Sequence, residues 1–309
     1  MAIKLNILTG ILGSGKTSTL RHLMSVPSPE GATAIVVGEY AEEGFDAAML
    51  RETGAEISQV TATGLGSTAK SYMEPVRDFV EDGIFGRIII ETSGVTEIAR
   101  VVEELRQEPL IAANVTFGPT IVVMDAGAFS IHDKYFADQL WGQVRVGDVI
   151  IVNKTDKAAE DSLSAIRDRI LSVNPDARVL FCYMGQVSRQ DCLGTEEDFS
   201  PRILAADGAG MPADFEAFVY RSRKICYDRL MFGHKLLNLP VGKIARFKGA
   251  LKCWDQTRCV NGLPGQLDWD NTTVAGRTAI AFIGVGLLDS KDTICGMLDT
   301  ELERQKSEL

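Results

Sequence analysis

The feature of this sequence that most restricts its fold is a glycine-rich segment close to the first residue. Residues 10–17 read Gly-Ile-Leu-Gly-Ser-Gly-Lys-Thr, which fits the pattern G-x-x-x-x-G-K-[ST]. An apolar run, Lys4–Leu8, precedes it, and a stretch with helical periodicity, Lys16–Met24, follows it. A strand, a glycine turn and a helix in this order gather backbone N–H groups at the positive end of the helix. The segment therefore predicts a phosphate-binding loop rather than an ordinary turn.

The residues of this loop have distinct expected roles. Glycines let the backbone curl so that its N–H groups face a phosphate. The Lys16 ammonium reaches the terminal phosphates and stabilises charge there during catalysis, and the Thr17 hydroxyl ligates Mg²⁺. The residues expected to contact a nucleotide in this loop are Gly10, Gly13, Ser14, Gly15, Lys16, Thr17 and Ser18.

Short apolar strands alternate with amphipathic helices over residues 1–185. The strands are runs of Ile and Val without polar alternation, which is typical of a parallel sheet covered by helices on both faces. We therefore expect an α/β domain with a doubly wound, mostly parallel sheet. Its predicted strands are Lys4–Leu8, Ala34–Val37, Arg87–Glu91, Thr120–Met124 and Asp148–Val152, and its predicted helices are Lys16–Met24, Thr68–Val80, Glu97–Gln107 and Ala158–Val173.

The composition and periodicity of the sequence change after this domain. Residues 186–213 are rich in Gly, Asp, Ser and Pro without a clear period, which predicts a linker. Residues 214–309 predict a second, smaller α+β domain, in which a polar, glycine-rich stretch, Gln256–Gly276, separates two of the strands. The elements expected there are strands at Phe218–Ser222, Lys243–Leu251 and Arg277–Ile283 and a closing helix at Lys291–Arg304.

A second nucleotide motif follows the strand Asp148–Val152. Residues 153–156 read Asn-Lys-Thr-Asp, the pattern N-K-x-D. At a strand end the Asp156 carboxylate would accept hydrogen bonds from the ring N–H and the amine of guanine, a donor pair that adenine lacks. The stem of Lys154 would cover one face of the base, and Asn153 would brace the loop. Downstream of a phosphate loop, this motif favours GTP over ATP.

A carboxylate ends the apolar strand Arg87–Glu91. In proteins with such a phosphate loop, an acid at this place holds the Mg²⁺ shell, so Glu91 is an expected catalytic and metal-site residue. Gly94 follows three residues later and could donate its N–H to the γ-phosphate. That contact would form with GTP and break after hydrolysis, as in a switch.

Other acidic residues near strand ends have two interpretations each. Glu39, Glu42 and Asp46 follow the second strand, where a first switch loop is expected. Asp46 is a candidate Mg²⁺ ligand, and Glu39 and Glu42 are candidates for a second metal; the alternative is a solvated acidic loop. Asp125 ends the strand that includes Ile121–Met124, and it is either a structural cap or a contact near the nucleotide.

Composition limits the partners and the compartment. The net charge of −10 gives no sign of the basic patch that binds nucleic acid. The first residues lack the regions of a signal peptide, and no apolar run is long enough to span a bilayer. We therefore expect a cytoplasmic protein with no nucleic-acid or membrane partner, and six reduced cysteines.

Taken together, these segments resemble the CobW-type GTPases, over nearly the whole chain. In that family the Mg²⁺-side acid is the glutamate of a Glu-x-x-Gly, which matches Glu91–Gly94. Residues 38–46 are similar to the family's first switch, N-E-F-G-x-x-x-x-D. Further similar segments are Val122–Ala126 (V-V-x-D-A), Asn174–Ala177 (N-P-x-A), Arg246–Gly249 (R-x-K-G) and Ala281–Gly284 (F-I-G).

The chain also departs from the family pattern. The family's C-x-C-C metal motif is replaced by residues 63–68, which read Thr-Gly-Leu-Gly-Ser-Thr, and Gly38 stands at the Asn of the first switch. The histidines His22, His132 and His234 are isolated, so each is expected to be a surface or packed residue rather than a ligand.

Two groups of residues in the second domain, a cysteine pair and a basic pair, each have a structural and a functional interpretation. Cys253 and Cys259 flank Trp254 at a spacing that is not a standard zinc pattern. Arg246 and Lys248 share one face of a predicted strand. That face is either simply solvated or a docking surface for a client protein.

The resemblance implies a Mg²⁺-dependent GTPase that converts GTP to GDP and phosphate and serves a client protein containing a metal or a corrinoid. Zn, Co, Ni and Fe are the transition metals to consider. No glutamine or arginine finger is recognisable in the sequence, so we expect slow intrinsic turnover that a partner accelerates. The alternatives are a metal chaperone with oxygen ligands, a nucleotide-gated scaffold that carries no metal, and a small-molecule kinase, which the guanine motif disfavours.

Overall fold

The computed structural model describes most of the chain. The described residues are 2–11, 13–39, 50–51, 53–61, 69–94, 96, 98–194, 215–222, 226–239, 244–263, 265–273 and 277–307. Contacts between residues divide the chain into two units, Met1–Met211 and Pro212–Leu309. The domain limits expected from the sequence, 1–185 and 214–309, stay predictions.

A seven-stranded sheet forms the centre of the first unit. Its strands are β1 (Ile3–Thr9), β2 (Ala32–Glu39), β3 (Glu56–Thr61), β4 (Phe85–Glu91), β5 (Val115–Asp125), β6 (Val149–Asn153) and β7 (Arg178–Phe181). The spatial order is β3-β2-β4-β1-β5-β6-β7, and every neighbouring pair is parallel. Because the strands are parallel, all their carboxyl ends meet at one edge of the sheet, where α/β proteins bind ligands.

Helices follow the strands and cover both faces of the sheet. They are α1 (Lys16–Met24), α2 (Ala69–Asp82), α3 (Ile98–Gln107), α4 (Pro109–Asn114), α5 (Phe129–Tyr135), α6 (Ala137–Val146), α7 (Glu160–Val173) and α8 (Arg189–Leu193). In β4, Ile88 and Ile90 join one apolar cluster, whereas Ile89 joins the other. The strands are therefore buried on both faces, and the predicted α/β fold with a parallel sheet is confirmed.

β3 and β7 were not predicted from the sequence, and both are edge strands. An edge strand is paired on one side only and is partly open to solvent, so it lacks a continuous apolar run. Accordingly β3 reads Glu-Ile-Ser-Gln-Val-Thr, and β7 has only four residues, none of them fully buried.

The start of the interval that the sequence predicts as a linker belongs to the first unit instead. Val187, Cys192 and Leu193 are buried in the same apolar cluster as Leu20 and Leu23 of α1. These three apolar residues are scattered among polar ones, so no period reveals them. Residues 195–213 lie outside the described part of the chain.

The described residues of the second unit form an antiparallel sheet accompanied by two α-helices. Its strands are β8 (Phe215–Ser222), β9 (Ile244–Lys252), β10 (Thr257–Leu263), β11 (Gln266–Thr273) and β12 (Thr278–Val285), in the order β11-β10-β9-β12-β8. The polar stretch Gln256–Gly276 thus contains the hairpin β10–β11. Helices α9 (Arg229–Leu237) and α10 (Lys291–Ser307) contribute Phe232 and Leu298 to a core with Phe247 and Phe282. None of the helices described in either unit is long and apolar enough to cross a membrane.

Candidate nucleotide site

The glycine-rich loop joins β1 to α1 at the carboxyl edge of the sheet. Gly10, Gly13 and Gly15 have φ angles of 147°, 85° and 102°, which side-chain-bearing residues rarely adopt. A Cβ on Gly15 would lie 2.3 Å from Nδ2 of Asn153. The loop therefore needs glycine for two reasons, the backbone conformation and the close approach of the next strand end.

Polar side chains are buried inside this loop. Lys16 is only 6% exposed, and its Nζ donates to the carbonyl oxygen of Gly10 at 2.8 Å. The hydroxyl oxygens of Ser14 and Thr19 are buried and have no hydrogen-bond partner among the described residues. Ser18 is exposed on α1. Buried polar groups without partners are rare in proteins, and a ligand that supplies the missing bonds is one explanation.

The pair expected to hold Mg²⁺ is brought together from two strand ends. The Thr17 hydroxyl donates to Oε1 of Glu91 at 2.8 Å, and the Glu91 side chain is 3% exposed. A hydroxyl and a carboxylate side by side are oxygen ligands of the kind that Mg²⁺ prefers. The residues present thus fit this ion.

Asn153 connects the glycine loop to the opposite side of the site. Its Nδ2 donates to the carbonyl oxygen of Ser14 at 2.9 Å, and its Oδ1 accepts from the N–H of Gly185 at 3.0 Å. Cys182 contributes its carbonyl oxygen to Thr155 N at 3.2 Å, which ties the loop after β7 to the N-K-x-D turn. This loop was not predicted, because the short strand β7 before it has no continuous apolar run.

Lys154 and Asp125 form an ion pair beside this turn. Nζ of Lys154 lies 2.7 Å from Oδ2 of Asp125, which is 1% exposed, and Lys154 has a left-handed φ of 58°. Oδ1 of Asp125 also accepts from the N–H of Ala128 at 3.1 Å, just before α5. Asp125 thus bonds the turn before α5 and pairs with a residue of the N-K-x-D turn, whereas the N-cap residue of α5 is Ala128. Asp156 lies in a 3-10 turn and is exposed, so its carboxylate is open to a base.

The loop that follows Glu91 is held from two sides. The Thr92 N–H donates to the Leu8 carbonyl oxygen at 2.9 Å, and the Ser93 N–H donates to the Tyr72 hydroxyl at 3.2 Å. The carbonyl oxygen of Gly94 accepts from Nε2 of Gln139 on α6. Tyr72 and Gln139 were not predicted, since nothing in their local sequence marks them.

Gly38, the departure from the family's first switch, lies against the same loop. A Cβ on Gly38 would lie 2.1 Å from the Tyr72 hydroxyl oxygen and 2.9 Å from the Ser93 nitrogen. The Tyr72 hydroxyl therefore occupies the space into which a side chain at position 38 would project, and this explains the glycine.

Several of the predicted metal residues lie in or beside segments that the structure does not describe. Glu42, Asp46 and the segment 63–68 lie outside the described residues, and Glu39 is described only as the last residue of β2. The residues that the structure does describe contain no group of three or more His, Cys, Asp or Glu side chains arranged to hold a metal. The assignments to a metal stay predictions.

His132 is a packed residue. It lies on α5 and is 2% exposed, with its ring 6.3 Å from that of Phe136. Burial lowers its pKa to about 4, and the charges of Lys154 and Lys16 add to this, against the opposing effect of Asp125. His132 is therefore neutral near pH 7.

Comparison with known proteins identifies relatives that match part of this chain. The Escherichia coli (strain K12) zinc chaperone YeiR is 26% identical over 167 residues, 52% of this chain and 49% of the relative. The Pseudomonas aeruginosa zinc chaperone CobW is 28% identical over 208 residues, 57% of this chain and 55% of the relative. The chain spans about half the length of these curated relatives.

Among solved structures, the Zn(II)-bound YjiA GTPase from E. coli is 20% identical, covering 97% of this chain and 99% of that chain, with a TM-score of 0.44. The family model described as the CobW/HypB/UreG nucleotide-binding domain matches residues 4–181, which include the glycine loop, the Thr17–Glu91 pair and the N-K-x-D turn. The chain therefore belongs to the CobW/HypB/UreG family of nucleotide-binding domains.

Proposed function

We propose that this chain binds GTP at the carboxyl edge of its parallel sheet and hydrolyses it to GDP and phosphate. The observation that carries the proposal is the Asn153 side chain, which bonds both Ser14 in the glycine loop and Gly185 beside the N-K-x-D turn. One side chain thus fixes the separation between a phosphate site and a base site. This arrangement suits a ligand that has both a phosphate chain and a purine.

The base site is proposed to select guanine. Asp156 is exposed at the turn, where its carboxylate accepts from the ring N–H and the amine of guanine. The Lys154 ion pair with Asp125 holds the lysine stem in place as one wall of the base site. Adenine lacks the two donors and leaves the carboxylate without partners.

The phosphate site is proposed to act through charge and orientation. Lys16 exchanges the Gly10 carbonyl oxygen for the terminal phosphates, and the loop N–H groups donate to them. Gly94 donates its N–H to the γ-phosphate. These groups stabilise the negative charge on the transferred phosphoryl group without reorganising during the reaction.

Mg²⁺ is proposed to be held by Thr17 and Glu91, whose oxygens already lie 2.8 Å apart. The bound ion would neutralise charge on the phosphate oxygens. Intrinsic turnover is expected to be slow, on the order of 10⁻² per second or less, because no residue is identified that orients the attacking water. A partner protein would accelerate it.

The client is proposed to be a protein that contains a metal or a corrinoid. Support comes from relatives named as zinc chaperones and as a GTPase metalloprotein activator. A transition metal carried by this chain would need ligands other than the family's cysteines, since residues 63–68 contain none. Glu39 and Glu42 are the proposed substitutes, and such oxygen ligands prefer harder cations.

The experiment that tests this role is equilibrium binding of Zn²⁺, Co²⁺, Ni²⁺ and Fe²⁺ in Mg²⁺-GTP and again in Mg²⁺-GDP. Tight binding that changes with the nucleotide and is lost in Glu39→Ala, Glu42→Ala supports a metallochaperone with moved ligands. Unchanged binding in that double variant removes these two ligands. Glu56→Ala, at the start of β3, is a suitable acidic control.

A second candidate is a nucleotide-gated scaffold that activates its client without carrying metal. The cysteine-free segment 63–68 favours it. In that case no transition metal binds in either nucleotide state, and retention of the client on the immobilised chain depends on GTP versus GDP. Retention that ignores the nucleotide would contradict the scaffold.

A further inference from the structure

Two buried glutamines of α6 contact the loop that follows β4. Nε2 of Gln139 donates to the carbonyl oxygen of Gly94, and Nε2 of Gln143 reaches the same oxygen at 3.4 Å. The two glutamines are four residues apart, so they lie on one face of the helix. Their side chains are 7% and 3% exposed. A carbonyl oxygen has two lone pairs and can accept both bonds.

We propose that Gln139 and Gln143 are positioning residues that orient the Gly94 peptide and transmit its nucleotide-dependent movement to α6. The inference rests on the proposed function, in which the Gly94 N–H donates to the γ-phosphate. The N–H and the carbonyl of one residue are linked through a single Cα. A contact that pulls the N–H towards the γ-phosphate therefore displaces the shared Cα, and with it the carbonyl that the glutamines hold.

The arrangement in this structure leaves one buried acceptor unused. Oε1 of Gln143 is buried and has no hydrogen-bond donor among the described residues. Such an acceptor is costly, so a shift of the loop that brings an N–H to it is favoured. The glutamine pair thus has a second hydrogen-bonding arrangement available, as a two-state element requires.

The residues on both sides of Gly94 are held, which confines the movement to Gly94 itself. Thr92 is bonded to β1, and the Ser93 N–H is bonded to the Tyr72 hydroxyl of α2. Both bonds hold the loop up to residue 93 on the sheet. On the far side, the Thr96 N–H donates to the Ser93 carbonyl oxygen at 3.2 Å, and the Thr96 hydroxyl lies 3.2 Å from that of Tyr72. The groups that follow the Gly94 carbonyl when it moves are therefore those of α6.

A tryptophan lies between the two glutamines and reports on α6. Trp141 is 6% exposed, and its Nε1 donates to Oδ1 of Asp133 at 2.8 Å. Its ring lies 6.0 Å from that of Phe129 and 4.9 Å from the guanidinium carbon of Arg169. A displacement of α6 changes these contacts and hence the fluorescence of the indole.

The experiment uses the full chain with Trp254→Phe and Trp269→Phe, which leaves Trp141 as the only one of the three tryptophans. Emission and affinity are measured with Mg²⁺-GDP and with Mg²⁺-GTPγS. Gln139→Glu preserves the size of the side chain, but an ionised carboxylate cannot donate. Gln143→Ala removes the longer bond. The control is Gln107→Ala, whose amide bonds Glu103 on the exposed surface of α3.

We expect the emission of Trp141 in the parent chain to differ between the two nucleotides, and both test variants to remove that difference. Gln139→Glu weakens GTPγS binding by about tenfold and GDP binding by less than about twofold, and Gln107→Ala changes neither. Equal emission in a parent that binds both nucleotides overturns the inference, as does an undiminished difference in both variants. Equal weakening of GDP and GTPγS overturns it as well. A parent that binds neither nucleotide overturns the proposed function, and the inference with it, so the two failures are distinguishable.

Discussion

The strands of the parallel sheet all begin at one side, the amino edge, and all end at the other, the carboxyl edge. These two sides of the sheet bury polar groups in different ways. At the amino edge, Arg87 is 1% exposed and donates to Asn6 and to Glu30, the latter at 2.7 Å. Of its guanidinium nitrogens, only Nε has no partner among the described residues. At the carboxyl edge, the hydroxyls of Ser14 and Thr19 are buried without a partner in the described part of the chain.

The difference indicates that the carboxyl edge is suited to binding a ligand and the amino edge to stabilising the fold. A buried polar group without a partner costs about 1–3 kcal/mol, so the carboxyl edge is stabilised when a ligand binds there. At the amino edge the Thr33 hydroxyl and Arg87 Nε are also buried without a partner among the described residues, but the two terminal nitrogens of Arg87 are bonded by the chain itself. Those bonds stabilise the fold without any ligand. Substitutions at the two edges should therefore separate activity from stability.

The largest effect is expected for Lys16→Ala at the carboxyl edge. Removing its charge from the terminal phosphates should lower GTP turnover by about 10²–10³-fold. The unfolding free energy without nucleotide should change by less than about 1 kcal/mol, since removing a buried ammonium also removes its desolvation cost. Phosphate release and urea unfolding measure the two quantities. Retained turnover would mean that the site is wrongly assigned.

For Glu30→Gln at the amino edge we expect the opposite result, a loss of stability without a loss of turnover. The substitution removes the charge that pairs with buried Arg87 and with Arg189, at 2.7 and 3.5 Å. Because Glu30 is itself 19% exposed, we expect a loss of about 2 kcal/mol in unfolding free energy, with turnover unchanged. Glu81→Gln, whose pair with Arg77 is half-exposed, is the matched control and should cost less than about 0.5 kcal/mol. Equal losses in both variants would contradict a specific role for Glu30.

A smaller effect is expected where the first switch meets the loop after β4. Gly38→Ala places a methyl group 2.1 Å from the Tyr72 hydroxyl oxygen and should cost about 1.5 kcal/mol by overpacking. In a Tyr72→Phe background the cost should fall, because the closest atom is gone. Urea unfolding of the two single variants and the double variant gives the coupling. Strictly additive losses would show that the hydroxyl is not what requires glycine at position 38.

The smallest effect is a pH dependence confined to the amino edge. Burial alone would raise the pKa of Glu30, but hydrogen bonds from Ser28 and Arg87 and the charge of Arg87 lower it from 4.5 to about 2. A lowered folded-state pKa means that the stabilisation is complete above pH 4.5 and is lost as the pH falls towards 2. Unfolding free energy between about pH 5 and about pH 3 should therefore fall more in the parent than in Glu30→Gln. Parallel pH profiles would contradict the lowered pKa.

The sequence predicts those features of this molecule that depend on neighbouring residues. The helix Lys16–Met24 is predicted to the residue, because the glycine loop fixes its start. The central strands are also recognised, since burial on both faces makes them apolar throughout. The outermost strands β3 and β7 are not recognised, because each is partly open to solvent and polar residues interrupt its apolar run.

Contacts between distant segments could not be predicted. Tyr72 reaches the Ser93 N–H from α2, and Gln139 reaches Gly94 from α6, 45 residues further along the chain. Tyrosine and glutamine occur on many helices without such a role, so only the fold identifies these two. The exchange of the family's Asn for Gly38 likewise makes sense only once the Tyr72 hydroxyl is seen against it.

The proposed function depends most on guanine binding at the carboxyl edge and on recognition of the base by Asp156. The most direct measurement compares the affinities of GDP, ADP and xanthosine diphosphate for the parent and for Asp156→Asn. We expect the parent to prefer GDP to ADP by about a hundredfold or more. We also expect Asp156→Asn to lose GDP and to gain xanthosine diphosphate, because xanthine carries a carbonyl where guanine has its amine and asparagine can donate to it. Equal affinity of the parent for GDP and ADP, or an unchanged preference in Asp156→Asn, would contradict this proposal.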